Sequence, residues 1–98
     1  MLFRHTSKVL RRLDEEAEFT GGYAPALVRA FRMRMQAIRA ALNETDFYAL
    51  KSLHYEKLKG TRKHQRSMRL NDQFRLILEI EKRTQGNIIV VIGIEDYH

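Results

Sequence analysis

Two stretches of this 98-residue chain concentrate side chains that can do chemistry. The first is Glu95-Asp96-Tyr97-His98. An imidazole titrates near pH 6.5, a carboxylate can hold and orient it, and a phenol can donate to a developing charge, so these types cover much of the acid–base chemistry available at neutral pH. Polar residues in such a place are often a frayed tail. Here they directly follow Ile88-Ile89-Val90-Val91-Ile92, the strongest strand signal in the chain, which anchors them at the sheet edge. The second stretch holds Lys57, Lys59, Arg62, Lys63, Arg66, Arg69 and Arg75 against a single acid, Asp72. Basic side chains converging on a sheet face make a phosphate-binding surface whose strength falls with salt. The competing reading is a solvated, charge-decorated sheet.

Composition narrows the chemistry further. A formal net charge of +6 suits a polyanionic partner: nucleic acid, an anionic membrane surface or an acidic protein. With 44% hydrophobic residues and one proline, the chain reads as a single folded domain over 1–98. The lack of cysteine excludes disulfides, thiol catalysis and thiolate metal sites. The four histidines lie far apart with no metal-ligand spacing, so neither a metal nor a cofactor is expected. There is no Gly-rich phosphate loop and no Gly-x-Ser-x-Gly turn. No apolar run reaches the roughly 18 residues of a membrane span. The opening MLFRHTSKVL lacks the apolar stretch of a secretory signal, so the expected location is cytoplasmic, with no membrane partner.

The elements that must position these residues are legible from periodicity. Thr6 or Ser7 can cap a first helix with Val9, Leu10, Leu13 and Ala17 on one face, stopped by Gly21 and Gly22. Arg11–Glu15 and Arg12–Glu16 lie one turn apart on its solvent side. Pro25 opens a second helix, whose core stripe is Leu27, Phe31, Met35, Ile38 and Leu42, with Arg29, Arg32 and Arg39 on another face. That face could suggest a DNA-recognition helix, but the core uses the stripe and no second helix completes the motif. Residues 43–54 read as a short helix or a packed loop. Strands are expected from Tyr55 to Lys59, from Arg66 to Leu70, from Phe74 to Ile80 and through Ile88–Ile92, the last buried on both faces. The fold class is therefore α+β: a two-helix hairpin packed on one mostly antiparallel sheet. Lys57 and Lys59, two apart on a strand, should share a face. Arg75 sits in a strand, where a structural ion pair with Glu79 or Glu81 is the alternative to a functional role.

Three motifs in register then resemble a known family. Glu56-Lys57-Leu58-Lys59-Gly60-Thr61-Arg62-Lys63, Ser67-Met68-Arg69-Leu70-Asn71-Asp72-Gln73-Phe74-Arg75 and Asp96-Tyr97-His98 look like the HigB-type toxins of the RelE/ParE superfamily. The helical hairpin ahead of them fits too, so the resemblance covers essentially the whole chain. It implies the toxin of a type II toxin–antitoxin pair, an endoribonuclease cutting messenger RNA in the ribosomal A site and silenced by a HigA-like antitoxin in a hetero-oligomer. It implies a reaction in which the substrate's own 2′-hydroxyl attacks the adjacent phosphate. On that reading Arg75 with Lys57 and Lys59 holds the scissile phosphate, His98 is the leading acid–base group, Tyr97 stacks on or donates to the substrate, and Asp96 orients His98. Arg62, Lys63, Arg66 and Arg69 complete the RNA-binding set. Some members carry a histidine where this chain has Glu56; either Glu56 or His54, placed on the same strand face, would be the second acid–base group. His64 and Arg66 replace the usual glycine and aromatic. Two alternatives remain at this level: a ParE-like inhibitor of DNA gyrase without nuclease activity, and a nucleic-acid-binding module without catalysis.

Overall fold

The computed structural model describes residues 1–97. In chain order it contains β1 (Phe3–His5), α1 (Lys8–Glu15), α2 (Pro25–Ala40), α3 (Thr45–Ala49), β2 (Glu56–Lys57), β3 (Gln65–Arg69), β4 (Phe74–Glu81) and β5 (Ile88–Asp96). Three helices pack on a five-stranded sheet of order β1-β5-β4-β3-β2. Every pairing is antiparallel except β1 with β5. The α+β class and the mostly antiparallel sheet stand as read from the sequence.

Local chemistry sets the helix ends. Ser7 is extended and its hydroxyl accepts from the Leu10 N–H at 3.2 Å, which starts α1. The helix closes at Glu16, well before Gly21 and Gly22. Ala17 is outside it and exposed, and Val9 is 46% exposed. The early stop is made by α2: Arg32 donates to the carbonyls of Leu13, Glu16 and Phe19 at 2.8–3.1 Å, satisfying oxygens that a helix end leaves open. Pro25 takes the first turn of α2, and Leu27, Phe31, Met35 and Ile38 form its buried stripe. Leu42 falls off that stripe at 87% exposure, because α2 ends at Ala40 and extended Ala41 occupies the buried place instead. The ambiguous stretch resolves into α3, which buries Phe47, and a 3-10 turn at Lys51–Leu53, which buries Leu53.

β1 went unread in the sequence. Phe3 and His5 pack toward the core, His5 against Phe31, and the strand lies parallel to β5 through Phe3↔Ile89 and His5↔Val91. Three residues are too short for alternation to announce a strand.

A polar knot ties β1 to both long helices. Asp14 faces His5 at 3.0 Å and Arg39 at 2.8 Å with its side chain only 2% exposed. Burial pushes the Asp14 carboxyl up, but the hydrogen bonds from Arg39 and His5 outweigh it and hold the group below the usual 3.8. A carboxyl depressed in the folded state contributes stability above its ordinary range and loses it as pH falls through the lower folded value. Asp14→Ala is therefore expected to cost about 2–3 kcal/mol at neutral pH, because two partners lose their carboxylate inside the fold. Urea titrations should also show a flatter acid limb for the variant below about pH 4.

Candidate active site

The sheet has a helix side and an open side, and strand register assigns residues to each. Met68, Leu76, Leu78, Val91 and Ile94 point to the helices. On the open side, Glu56 is opposite Ser67, Ser67 opposite Ile77 and Ile77 opposite Gly93; in the next row Arg69 is opposite Arg75 and Arg75 opposite Glu95. A bulge in β5 makes the second row possible. Leu78 pairs with Val91 and Ile77 with Gly93, so Ile92 is the extra residue. That one residue inverts the alternation, sending Glu95 and Tyr97 to the open side and Ile94 and Asp96 to the helix side.

Arg75 is the centre of this face, with only 8% exposed. Its Nε donates to the Ser67 hydroxyl at 2.8 Å and its Nη2 to the His54 carbonyl at 2.6 Å. The Glu56 carboxylate lies 4.0 Å away and the Tyr97 ring 4.9 Å over the guanidinium. Neither Glu79 nor Glu81 is its partner. Tyr97 is pinned by its N–H, which donates to the Gln73 carbonyl at 2.7 Å. The His54 carbonyl reaches Arg75 because His54 closes the 3-10 turn in the left-handed region, with φ +46°. Strain of about 1–3 kcal/mol is held there by the surrounding contacts. His54 is consequently not on a strand with Glu56, as alternation had implied.

A second arginine closes over the same face. Arg62, in the 3-10 turn between β2 and β3, reaches Glu95 on β5 through two bonds at 2.6 and 2.8 Å. To do so it crosses the rows of β3 and β4. Its Nε also bonds Gln65 at 2.8 Å, and Gln65 bonds Glu79 at 3.1 Å. The Arg62 guanidinium holds the Glu95 carboxyl below its usual range.

The rest of the basic set divides. Arg69 pairs with Asp72 beside the site. Arg66 pairs with Glu44 at 2.9 Å, where the Tyr55 hydroxyl also bonds at 2.6 Å. Burial and that carboxylate push the Tyr55 phenol far above its ordinary range. Lys57 is opposite Arg66, which is opposite Leu78, so Lys57 is turned away from Arg75. With Lys63, His64, Arg66 and Lys82 it rings a separate hollow of about 410 Å³. The expected Lys57/Lys59 pair is thus not formed, since β2 stops at Lys57 and Lys59 begins the following turn. Asp96 receives the Gln73 side-chain amide at 2.9 Å and stands opposite Phe74, apart from Arg75. His98 lies outside the described residues.

The structure therefore brings Arg75, Glu56, Tyr97 and Arg62 together with Ser67 and Glu95, to which the sequence reading assigns no role of their own. The Ile92–Gly93 pair carried a signal for Glu95, because glycine inside a strand often marks a bulge. Such a constellation offers a buried cation, a nearby carboxylate and a phenol around one surface point. Among the described residues no three His, Asp or Glu side chains gather to hold a metal ion. Among the described residues no helix is long and apolar enough to cross a membrane.

Comparison with known proteins agrees with this architecture. A YoeB/ParE toxin from Agrobacterium tumefaciens superposes with a TM-score of 0.63 over 100% of both chains at 15% identity, a likeness of fold. No curated protein matches the sequence. The model of HigB-like toxins, RelE-like toxins of type II toxin–antitoxin systems, matches residues 2–98, and the chain belongs to that family.

Proposed function

We propose that this toxin is a ribosome-dependent mRNA endonuclease. A type II toxin has an antitoxin as its partner; the ribosome and A-site mRNA are the further partners proposed here. The observation that carries the proposal is Arg75, buried on the open face beneath Tyr97 and 4.0 Å from Glu56. Glu56 takes the proton of a ribose 2′-hydroxyl as its oxygen bonds the adjacent phosphorus. The bond from phosphorus to the 5′-oxygen breaks, and an acid, assigned to His98, protonates the leaving oxygen. The products are a 2′,3′-cyclic phosphate and a 5′-hydroxyl. Arg75 stabilises the charge that builds on the phosphoryl oxygens, Tyr97 stacks on a base, and Arg62 can exchange Glu95 for a phosphate. Arg69, opposite Arg75, borders this path, while Lys57, Lys63 and Arg66 serve the RNA strand away from the cut.

Primer extension on mRNA from translating ribosomes tests this. Discrete A-site cuts with 5′-hydroxyl ends are expected on induction. DNA-damage signalling without cuts would replace the nuclease with a gyrase-directed toxin, and binding without either would leave a nucleic-acid-binding module.

A further inference from the structure

The arginine that crosses the open face is already occupied. Its Nη1 and Nη2 donate to the two carboxylate oxygens of Glu95 at 2.6 and 2.8 Å, and its Nε to the Gln65 side chain at 2.8 Å. The Gln65 amide is held in turn by Glu79 at 3.1 Å. Every nitrogen of the Arg62 fork is engaged, and the fork is aimed before any substrate arrives. A carboxylate that takes both arms of a guanidinium copies the geometry of a phosphate. Glu95 thus stands where an RNA phosphate would bind. The bulge at Ile92 that turns Tyr97 toward Arg75 brings Glu95 to the same face, opposite Arg75. Tyr97 also lies within electrostatic reach of Arg62. The blocked cation is therefore beside the proposed cut, unlike Lys57, Lys59 and Lys63, which enter no ion pair among the described residues.

Stability does not account for the pair. Both side chains are 40% exposed, and exposed ion pairs contribute little to folding. The same exposure lets the partners separate, so the contact can be exchanged for another anion. A loose phosphate gains little by that exchange, since one charged pair merely replaces another. A strand already positioned by further contacts makes the exchange readily, because its phosphate arrives at high effective concentration. We propose that Glu95 selects the substrate: its carboxylate withholds Arg62 from loose single-stranded RNA and yields it to RNA presented in place. This selection rests on the reading of the open face as a ribosome-dependent nuclease site, and it gives that dependence a cause in one residue.

The test is binding of the full-length protein to a single-stranded 2′-O-methyl RNA oligonucleotide, which cannot be cut through its 2′-oxygen, over a range of salt. Glu95→Gln keeps the side chain's shape and removes its charge, and at this exposure the fold is retained. It should bind roughly tenfold more tightly at low salt. The plot of log affinity against log salt should steepen by about 0.7, the contribution of one more phosphate contact. Arg62→Ala/Glu95→Gln should return that slope to the parent's, because the gain runs through Arg62. Glu81→Gln makes the same charge change on β4 at a residue paired with Arg4 and Arg83, and should leave the slope unaltered. On programmed ribosomes, where the exchange takes place, Arg62→Ala alone should slow cleavage by roughly tenfold or more. An unchanged slope in Glu95→Gln overturns the proposal, as does parent-rate cleavage by Arg62→Ala. A gain that survives in the double variant, or that Glu81→Gln reproduces, also overturns it, since Glu95 would then act only as one negative charge among others. A parent that fails to cut mRNA on ribosomes counts against the nuclease reading alone, because binding to the methylated RNA is measured without cleavage.

Discussion

Arg75→Lys should reduce mRNA cleavage by about 10²–10³-fold while the protein stays folded. Lysine keeps the charge but cannot reproduce the fork that reaches Ser67 Oγ at 2.8 Å and the His54 carbonyl at 2.6 Å together. The guanidinium is oriented before substrate arrives, and a preorganised cation is worth more than a mobile one at a developing phosphoryl charge. Arg75→Ala should be worse in a second way. It leaves a fully buried Ser67 hydroxyl and the His54 carbonyl without their donor, at about 1–3 kcal/mol for each group left unsatisfied. Thermal unfolding should therefore separate the two variants, with lysine near the parent and alanine lower by roughly 5–20 °C. Cleavage by Arg75→Lys within a few-fold of the parent would mean that the residue serves the fold, with no part in phosphate chemistry.

Much of the architecture was legible because it depends on local pattern. The α2 stripe follows from spacings of three and four, the Asn71–Asp72 turn separates β3 from β4, and the β-branched run marks β5. What was not legible depends on contacts between distant parts. The basic cluster looked nearly unopposed in sequence, with Asp72 alone against seven cations. Folding brings Glu44 to Arg66, Glu95 to Arg62 and Glu56 toward Arg75, so all four arginines have acidic neighbours. Lys57, Lys59 and Lys63 enter no ion pair among the described residues and are the cations available to phosphates without exchange. Face assignment failed for a related reason. Strict alternation from Val91 would place Glu95 and Tyr97 among the core side chains, and the bulge at Ile92 reverses this. Asp96, singled out in the sequence for its type, is carried to the other side by the same bulge.

Glu56→Gln should leave RNA binding nearly unchanged and slow the chemical step by about 10²–10⁴-fold, the usual worth of a general base. Geometry selects Glu56 from the acids of the open face. Glu95 spends both oxygens on Arg62, and Glu79 accepts from Gln65 while lying 3.7 Å from His64. Glu56 is half exposed, and its 4.0 Å separation from Arg75 exceeds a hydrogen bond, so its lone pairs are open to a 2′-hydroxyl. Glutamine keeps the shape and can still accept a hydrogen bond, but it cannot take the proton. Single-turnover cleavage on programmed ribosomes isolates that step from binding and release. His54→Ala is the necessary comparison, because the fold uses the His54 carbonyl to hold Arg75 while its ring is exposed. Removing only the ring should change cleavage little. If Glu56→Gln cuts at the parent rate and His54→Ala does not, the base is the imidazole, and the strained turn that presents its carbonyl to Arg75 also delivers its ring to the substrate.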